Sequence, residues 1–218
     1  MKRVLTSQSF EFPIGYFALT AENRLFSRAL IELICRKIAP QSGHIIRRGR
    51  ISWPLGHAAP FSAVVTGKQA VSHISVLYGV SRQQTFKFVK ENFSHPELLH
   101  TPMQKWQARD RSELLLWLAL VPDFDVMIVD TSLVFTHSTS FSKRYLELFM
   151  EKTRGKTVLI SPNQARFTKL ICKSAIHVSE GKISVNADLE WALKNNNLVT
   201  LQKELAQEED TNLDTLEF

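Results

Sequence analysis

The chain has 218 residues, 44 % of them apolar and 22 % charged, which suits one domain and excludes disordered, fibrous and disulfide-rich classes. Its longest apolar stretch, residues 114–121, is much shorter than the roughly 20 residues of a bilayer span. The N-terminus lacks the apolar core of a signal peptide, so we expect a protein that is not exported. Cys35 and Cys172 have no metal-ligand spacing, which favours a reducing compartment, excludes the common zinc modules and predicts two core residues.

The net charge of +6 is unevenly distributed. Residues 201–218 contain one lysine and six acidic residues, a net charge of −5, which leaves +11 on residues 1–200. A basic body suits nucleic acid or another polyanion, and it equally describes a solvated surface, because no RNA-binding motif or zinc-finger spacing accompanies it. The polyanion hypothesis depends on Arg47, Arg48 and Arg50, which share one predicted turn.

Apolar residues alternate along the first half of the chain between strand-like runs and helical stripes. The pattern predicts a strand or hairpin over 10–19, a helix over 22–38, two short strands across a basic turn over 44–53, and helices over 68–78, 83–93 and 112–120. The run 124–130 is typical of a central parallel strand that is covered on both faces.

The second half repeats this alternation. It predicts a helix over 140–154 capped by Gly155, a strand over 157–161, a helix over 166–172, and a strand pair over 175–185 turning at Glu180-Gly181. From residue 188 onward we expect polar helices that fade into the acidic end. Repeated alternation of helices and strands predicts an α/β fold with a mostly parallel sheet.

Several strings of residues together resemble one family. The most specific are Ser42-Gly43-His44-Ile45-Ile46, Ile51-Ser52-Trp53-Pro54-Leu55-Gly56, Phe61, Thr66-Gly67 and Leu77-Tyr78-Gly79. They are similar to the stretch leading into the helical subdomain of the ATP-binding cassette (ABC) ATPases of bacterial capsular-polysaccharide exporters. Residues 124–130 resemble the Walker B strand of that family, and 158–161 the strand before its switch histidine.

The resemblance runs from about residue 10 to residue 193. It implies a P-loop NTPase-like domain over 1–200, with a helical subdomain near 68–120 and an acidic tail over 201–218. The opening strand of the family and the aromatic residue that stacks on adenine have no counterpart, so the domain is expected to be N-terminally truncated.

The phosphate-binding loop of the family is degenerate in this chain. A P-loop needs G-x-x-x-x-G-K-[ST], because glycines let backbone N–H groups converge on phosphates and the lysine reaches the terminal phosphoryl oxygens. The corresponding turn has no glycine and reads Thr20, Ala21, Glu22, Asn23, Arg24, Leu25, Phe26, Ser27, Arg28. Ser27 stands at the lysine position and Arg28 at that of the magnesium-binding hydroxyl.

The same turn is filled with unsuitable side chains. Leu25 and Phe26 are expected to occupy the space of the phosphates. Glu22 would repel a phosphate while stabilising the N-terminus of the helix. We interpret the turn as a self-capped helix start rather than a nucleotide cradle.

The other hydrolytic elements are replaced as well. Residues 105–111 (Lys-Trp-Gln-Ala-Arg-Asp-Arg) stand at the glycine-rich signature, Thr131 at the catalytic glutamate and Pro162 at the switch histidine. Asp130 of Walker B is retained, and we interpret it as structural rather than as a metal ligand. Gly155-Lys156-Thr157 spells the end of a P-loop but follows a helix and precedes a strand, so it is interpreted as a helix stop.

These losses predict a non-hydrolysing pseudo-ATPase with no catalytic residue, where the family would use ATP and Mg²⁺. No cofactor is expected, and no metal, because the histidines form neither an i,i+4 pair nor a cluster with carboxylates. The implied partners are an inner-membrane permease of a polysaccharide exporter, an active ATPase subunit, or both, through a homodimer or heterodimer. The chain would then be cytoplasmic and peripheral on the inner membrane.

The predicted docking residues are Trp53, Pro54, Phe61, Thr66, Gly67 and Tyr78. Three alternatives stay open at this point: a basic scaffold protein for nucleic acid or another polyanion, which is less favoured; a residual ATP-binding protein of the exporter; and a decaying gene product. The predicted docking residues could also be retained because they pack in the core, since Trp and Phe are commonly buried.

Overall fold

The computed structural model describes residues 8–55, 61–130, 139–162 and 165–197. The chain divides into two compact units, one made of residues 1–47 and 159–218 and the other of residues 48–158. None of the helices in the described ranges combines the length and the apolar composition that crossing a bilayer requires.

Five strands form one sheet in the order β2-β3-β1-β4-β5. They are β1 (Gly15–Ala21), β2 (Val126–Asp130), β3 (Thr157–Ser161), β4 (Ser174–Ser179) and β5 (Lys182–Asp188). Strands β1 and β4 are parallel, with Phe17 opposite Ser174, and β4 and β5 are antiparallel. The predicted α/β fold with a mostly parallel sheet is confirmed.

Seven α-helices occur in the described part of the chain. They are α1 (Arg24–Ile34), α2 (Gly67–Tyr78), α3 (Arg82–Asn92), α4 (Ala108–Ala119), α5 (Thr139–Lys152), α6 (Ala165–Ile171) and α7 (Leu189–Lys194). Two 3-10 helices, Pro96–His100 and Met103–Lys105, lie between α3 and α4. Each predicted helix is present, with ends shifted by a few residues.

The two short strands predicted over 44–53 are wrong. Residues 44–50 form no strand, and beyond them Ile51 and Leu55 make single parallel pairings with Val126 and Val129. A strand is stable only when a neighbouring backbone satisfies its N–H and C=O groups. Among the described residues no strand pairs with 44–50, so the backbone there has no partner strand and the alternation of apolar residues does not produce a strand.

In the first unit, the core forms where α1 packs on β1. Residues 17–21 of β1 are buried without interruption, and α1 buries a stripe made of Phe26, Leu30, Ile31 and Ile34. Strands β4 and β5 meet at the predicted turn, where Glu180 and Gly181 have φ of 47° and 76°. Two consecutive positive φ angles identify the two-residue hairpin turn that matches the twist of the strands.

In the second unit, helices α2, α3 and α4 pack around buried aromatic and aliphatic side chains. Trp117 of α4 is 1 % exposed and meets the ring of Phe88 at 6.1 Å. Glu113 is equally buried, and its Oε1 accepts hydrogen bonds from the N–H of Ser94 (2.7 Å), the hydroxyl of Ser94 (2.9 Å) and Nε1 of Trp117 (3.3 Å). This carboxylate therefore ties the end of α3 to α4.

Candidate functional site

The junction between β1 and α1 is the turn that the sequence predicted to be a degenerate P-loop. Strand β1 ends at Ala21 and α1 begins at Arg24, so Glu22 and Asn23 alone connect them. Asn23 caps the helix: its Oδ1 accepts from the N–H of Leu25 at 2.9 Å and its carbonyl oxygen from the N–H of Phe26 at 2.8 Å. Because the N–H groups of Leu25 and Phe26 are already bonded to Asn23, they are not available to a phosphate.

The side chains of the first helical turn point in different directions. Leu25 is 68 % exposed, whereas Phe26 and Ser27 are buried. Phe26 therefore belongs to the core, not to the space where a phosphate would lie. Arg24 and Arg28 are exposed, and Arg28 pairs with Glu32 one turn further along α1 (3.3 Å).

Glu22 stabilises the junction differently from the sequence-based expectation. Its N–H donates to the carbonyl of Val178 at 3.1 Å, and its Oε1 accepts from the N–H of Glu180 at 3.0 Å. Asn23 supplies the helix cap, while Glu22 ties the junction to the β4–β5 turn. The sequence predicted a self-capped helix without identifying its cap, which is Asn23.

The segment after α7 also holds the end of β1, which sequence reasoning missed. The N–H of Ala21 donates to Oδ1 of Asn196 at 3.1 Å, and the N–H of Asn197 donates to the carbonyl of Ala21 at 2.7 Å. Asn197 has φ of 58°, in the left-handed region that asparagine tolerates better than most residues. The run Asn195-Asn196-Asn197 was the available signal, although nothing in it indicates a partner 175 positions earlier.

A buried polar pair lies just before the junction. Oγ1 of Thr20 and Nδ1 of His177 are 2.8 Å apart, and both residues are almost completely buried. Burial lowers the pKa of His177, an effect that the charge of Glu22 partly opposes. Trp191 of α7 covers the imidazole, with 4.9 Å between ring centroids. Because neither side chain reaches solvent, the pair holds β1 to β4 and cannot contact a substrate.

A buried tryptophan lies in the segment that the sequence predicted to replace the signature motif. Trp106 is buried, stacks on Phe93 with 5.6 Å between ring centroids, and donates from Nε1 to Oγ1 of Thr101 at 2.8 Å. The guanidinium of Arg111 donates to the carbonyls of Trp106 and Met103. The chain before α4 is thus fixed by internal contacts rather than presented as a glycine-rich loop.

The Walker B and switch positions are only partly described. Asp130 is the last residue of β2, and its side chain, like all of Thr131, lies outside the described residues. Pro162 follows the end of β3. Both sequence interpretations at Asp130 and Thr131 therefore stay predictions.

The Gly155-Lys156-Thr157 triplet lies in the context that the sequence indicated. Helix α5 ends at Lys152, Gly155 has φ of 74° and β3 begins at Thr157. The ammonium of Lys156 pairs with Asp123, which holds the pKa of that carboxyl below its usual value. A lysine engaged in this way is not part of a phosphate loop.

Two of the predicted docking residues are parts of an aromatic cluster. The rings of Trp53 and Tyr78 are half-buried and meet the buried ring of Phe124 edge-on, at centroid distances of 5.6 and 5.2 Å. Burial raises the pKa of Tyr78. Pro54 is half-buried beside Trp53 in the sequence.

Two further docking residues have roles inside the second unit. Thr66 is the N-cap of α2 and forms a reciprocal capping box with Gln69. A Cβ on Gly67 would lie 2.7 Å from the ring of Trp106 and 2.8 Å from Cδ2 of Leu99, so only glycine fits there without displacement. These two residues are explained by local packing alone.

The outer face of α2 is apolar and exposed. Val76 and Leu77 are 61 % and 57 % exposed. Phe61 is half-buried against His73, with ring centroids 6.1 Å apart, and Lys68 is exposed near the start of the helix. We call Phe61, His73, Val76 and Leu77 the α2 outer face.

The basic turn is less available than the sequence indicated. The guanidinium of Arg47 donates to the carbonyls of Leu33 and Ile34, so it caps the C-terminal end of α1. Arg48 and Arg50 remain exposed. Gly49, with φ of 86°, is required between them, because a Cβ would lie 2.3 Å from Oδ2 of Asp125.

Comparison with curated proteins gives a consistent set of relatives, although no protein-family model matches the chain. The chain is 27 % identical over 192 residues to the ATP-binding protein BexA of Haemophilus influenzae, covering 88 % of each protein. It is 29 % identical over 173 residues to the polysialic acid transport ATP-binding protein KpsT of Escherichia coli, covering 78 % of each. This chain is a homologue of the ATP-binding proteins of capsule exporters.

A third relative agrees with this result. The capsule polysaccharide export ATP-binding protein CtrD of Neisseria meningitidis serogroup B is 25 % identical over 192 residues, with 88 % of both chains covered. The resemblance noted in the sequence is thereby confirmed at the level of the exporter family.

Solved structures confirm the fold. An ATP-binding subunit of an ABC transporter superposes with a TM-score of 0.70 at 15 % identity, covering 93 % of both chains. A second ATP-binding cassette, solved as a dimer with ADP and phosphate, gives a TM-score of 0.64 at 12 % identity and covers 85 % of this chain and 90 % of its own. At these identities the likeness concerns the architecture alone.

Proposed function

We propose that this homologue of capsule-exporter ATP-binding proteins is a pseudo-ATPase, a subunit that associates with a polysaccharide exporter without hydrolysing ATP. The observation that carries the proposal is the two-residue junction between β1 and α1, capped by Asn23. Phosphoryl transfer depends almost entirely on positioning and charge stabilisation, and the P-loop supplies much of both.

The electrostatics of the junction support the same conclusion. The N–H groups of Glu22, Leu25 and Phe26 all have acceptors within the chain, so a phosphate would have to break those hydrogen bonds. The carboxylate of Glu22 lies at the same turn, where it would repel a phosphate. Where the family binds an anion, this chain has three N–H groups that are already engaged and a negative charge.

The segment before α4 supports a second part of the proposal, that this chain lacks a working signature motif. A signature motif acts by presenting backbone amides to the γ-phosphate of a nucleotide bound by a partner subunit. Buried Trp106 and the guanidinium of Arg111 hold this segment from within. We therefore infer that the chain completes no composite nucleotide site through this segment.

The partner that fits best is the membrane permease of a polysaccharide exporter, alone or together with an active ATPase subunit. KpsT and CtrD are named as ATP-binding proteins of polysialic acid transport and of capsule polysaccharide export, and such proteins act on a permease. With such a partner, the chain would act at the cytoplasmic face of the inner membrane. The α2 outer face is the part of the predicted docking stretch that remains available for contact.

Nucleotide binding provides the direct test. Isothermal titration of the full chain with Mg-ATP, and thermal melts with and without Mg-ATP, are expected to show no binding. BexA, named as an ATP-binding protein, is the positive control for binding. Ligand at about 100 times its Kd would add about 2.7 kcal/mol of stability, which a melt detects readily. A micromolar Kd would refute the proposal and favour the residual ATP-binding alternative.

Docking is tested separately by co-purification with the cognate permease. Val76→Ser combined with Leu77→Ser should weaken capture, because both side chains are exposed and would be desolvated in an interface. Charge reversal at Lys68 and Arg82, both exposed, should weaken a rim contact to a smaller extent. Leu170→Ser, on an exposed leucine of α6, is the matched control. Undiminished capture by the first variant would overturn the assignment of the surface.

A further inference from the structure

The outward side of α1 combines an apolar side chain with basic ones. Leu25 is 68 % exposed, and Arg28 and Glu32 follow it on the same side of the helix, because residues three or four apart share a face. Lys37, just beyond the end of α1, reaches the same carboxylate: Oε1 of Glu32 lies 3.3 Å from Nε of Arg28 and 3.5 Å from Nζ of Lys37. We call Leu25, Arg28, Glu32 and Lys37 the α1 outer face.

This face carries more positive charge than its own carboxylate neutralises. Two cations share Glu32, and the guanidinium of Arg47 adds a third cation by donating to carbonyls of the last turn of α1. Burial raises the pKa of the Cys35 thiol, and the charges of Arg47 and Lys37 partly oppose that rise, so both cations lie near the end of α1. Residues 24–37 contain four basic residues and one acidic residue, a net charge of +3.

The C-terminal segment, residues 198–218, has the complementary composition. It lies outside the described residues, and its sequence combines a net charge of −5 with several apolar residues. The apolar residues that come first in the segment are Leu198, Val199, Leu201 and Leu205, and the acidic residues are Glu204, Glu208, Glu209, Asp210, Asp214 and Glu217. Such a segment can cover Leu25 with apolar side chains and offer carboxylates to the cations further along α1.

The structure brings the beginning of this segment to the beginning of α1. Asn197, the residue before the segment, donates from its N–H to the carbonyl of Ala21 at 2.7 Å. Oδ1 of Asn196 accepts from the N–H of Ala21 at 3.1 Å. Helix α1 begins three positions after Ala21, at Arg24. From there the α1 outer face extends about 20 Å, whereas the segment can reach roughly 70 Å when extended, so it is long enough to follow the helix.

We propose that the acidic segment, residues 198–218, docks on the α1 outer face of its own chain. Leu198 and Leu201 would cover Leu25, and the carboxylates that follow would pair with Arg28 and Lys37. The segment and α1 belong to the same compact unit of the chain. Tethering gives the segment an effective concentration in the millimolar range, so contacts of modest strength are sufficient. In this position the segment shields the cations of α1 from other polyanions.

Charge also sets the direction in which the segment runs. Glu22 and Glu180 lie beside the beginning of α1, where Oε1 of Glu22 accepts from the N–H of Glu180 at 3.0 Å, whereas Lys37 and Arg47 lie at its end. In the segment, Lys203 precedes all six acidic residues. Opposite charges therefore meet when the segment runs from the beginning of α1 towards its end.

Two other occupants fit this face less well. A second copy of the chain would bring two faces of the same net charge together, and like charges repel. A nucleic acid would engage the cations but leave Leu25 in water. It would also find no base-stacking surface, because Phe26, the one aromatic residue of 24–37, is buried.

This contact is independent of the proposed function. It requires neither the loss of ATP hydrolysis nor a permease, so it is tested with the purified full chain alone. Failure to detect the contact would leave the pseudo-ATPase proposal intact, and detection of ATP binding would leave the contact intact.

Thiol labelling at position 25 tests the contact. Leu25→Cys keeps a small apolar side chain at this position. Leu170→Cys, at a leucine of α6 with 71 % exposure, is the matched control. A neutral maleimide should label position 25 about tenfold more slowly than position 170, because a tethered segment covers its site most of the time. Proteolysis and mass spectrometry separate these sites from Cys35 and Cys172.

Neutralising the segment identifies what covers position 25. Glu208→Gln with Glu209→Gln should raise labelling at position 25 about fivefold, the size expected for the loss of two exposed ion pairs, and leave position 170 unchanged. Glu97→Gln with Glu151→Gln, on two exposed carboxylates of the other unit, is the charge-matched control and should change neither rate. High salt should act like the segment variant, because it screens the same pairs. Far-ultraviolet circular dichroism verifies that each variant folds.

Three results would overturn the proposal. Equal labelling of positions 25 and 170 would show that nothing covers the α1 outer face. Slow labelling at position 25 that neither the segment variant nor salt changes would show that another group covers it. Labelling at position 25 that becomes faster when the protein is diluted would identify a second copy of the chain as the cover.

Discussion

The β1–α1 junction and the α2 region (residues 61–79) depart from the exporter family in opposite ways. At the junction the glycines of a P-loop are absent from the sequence, and the N–H groups of Ala21, Glu22, Leu25 and Phe26 have acceptors within the chain. In the α2 region the family-like residues are retained, but Thr66 and Gly67 have structural roles in this chain. Resemblance to the family in sequence therefore shows neither whether a nucleotide site is present nor why a family-like residue occurs in this chain.

This difference shows that a residue can be assigned to docking only when the exposure of its side chain is known as well as its resemblance to the family. Tyr78 packs on buried Phe124, whereas Val76 and Leu77, on the same helix, face solvent. The predicted docking set contained Tyr78 but neither Val76 nor Leu77. Each prediction below tests whether a residue acts through packing or through a partner, beginning with the largest expected effect.

Removing the buried carboxylate beneath the α2 region should have the largest effect. Glu113→Ala is expected to lower the free energy of unfolding by about 3 kcal/mol, because three donors from Ser94 and Trp117 would lose their acceptor. Urea unfolding measures the loss. Glu113→Gln keeps an acceptor oxygen and should lose less; equal losses in both variants would show that the hydrogen bonds are not the cause.

A methyl group at Gly67 should cost about 2 kcal/mol, because it overlaps the ring of Trp106 and the side chain of Leu99. Thermal or urea unfolding of Gly67→Ala measures it. Gly79→Ala is the control: it has φ of 69° and open space, so it should cost about 1 kcal/mol through backbone strain alone. If Gly67→Ala were as stable as wild type but no longer captured a permease, docking rather than packing would explain this glycine.

At the junction, loss of the helix cap should cost about 1 kcal/mol. Asn23→Ala removes the acceptor for the N–H of Leu25, and Asn23→Asp restores one and adds a favourable charge at the helix N-terminus. Urea unfolding of the two variants should therefore separate them. Mg-ATP should change the stability of neither; a nucleotide-dependent shift confined to wild type would contradict a purely structural junction.

The smallest expected effect is a pH dependence of stability that comes from His177. In the folded state, burial lowers the pKa of His177 below its ordinary value of 6.5. The unfolded chain then binds the proton more readily, so this contribution to stability is complete above pH 6.5 and declines as the pH falls below it. His177→Gln should lack this decline. Urea unfolding at about pH 7.5 and about pH 5.5 measures the difference; parallel pH profiles of wild type and variant would exclude His177 as the source.

Several features could be predicted because they depend on residues close in sequence. The period of the apolar residues predicted β3 and the helices, and Glu180-Gly181 predicted a two-residue turn through the conformational freedom of glycine. The absence of glycine between Thr20 and Arg28 predicted a helix start instead of a phosphate loop. Steric limits and hydrogen bonds between neighbouring residues depend only on a few consecutive residues, so the sequence shows them directly.

The tertiary structure decided what depends on partners far away in sequence. Asn196 and Asn197 hold Ala21 from the far end of the chain, and Thr20 meets His177 on another strand. The predicted strands over 44–53 did not form, because a strand depends on its neighbour and none of the described strands pairs with 44–50. Hydrogen bonds and close packing between distant segments arise only when the fold brings those segments together, so no local pattern records them.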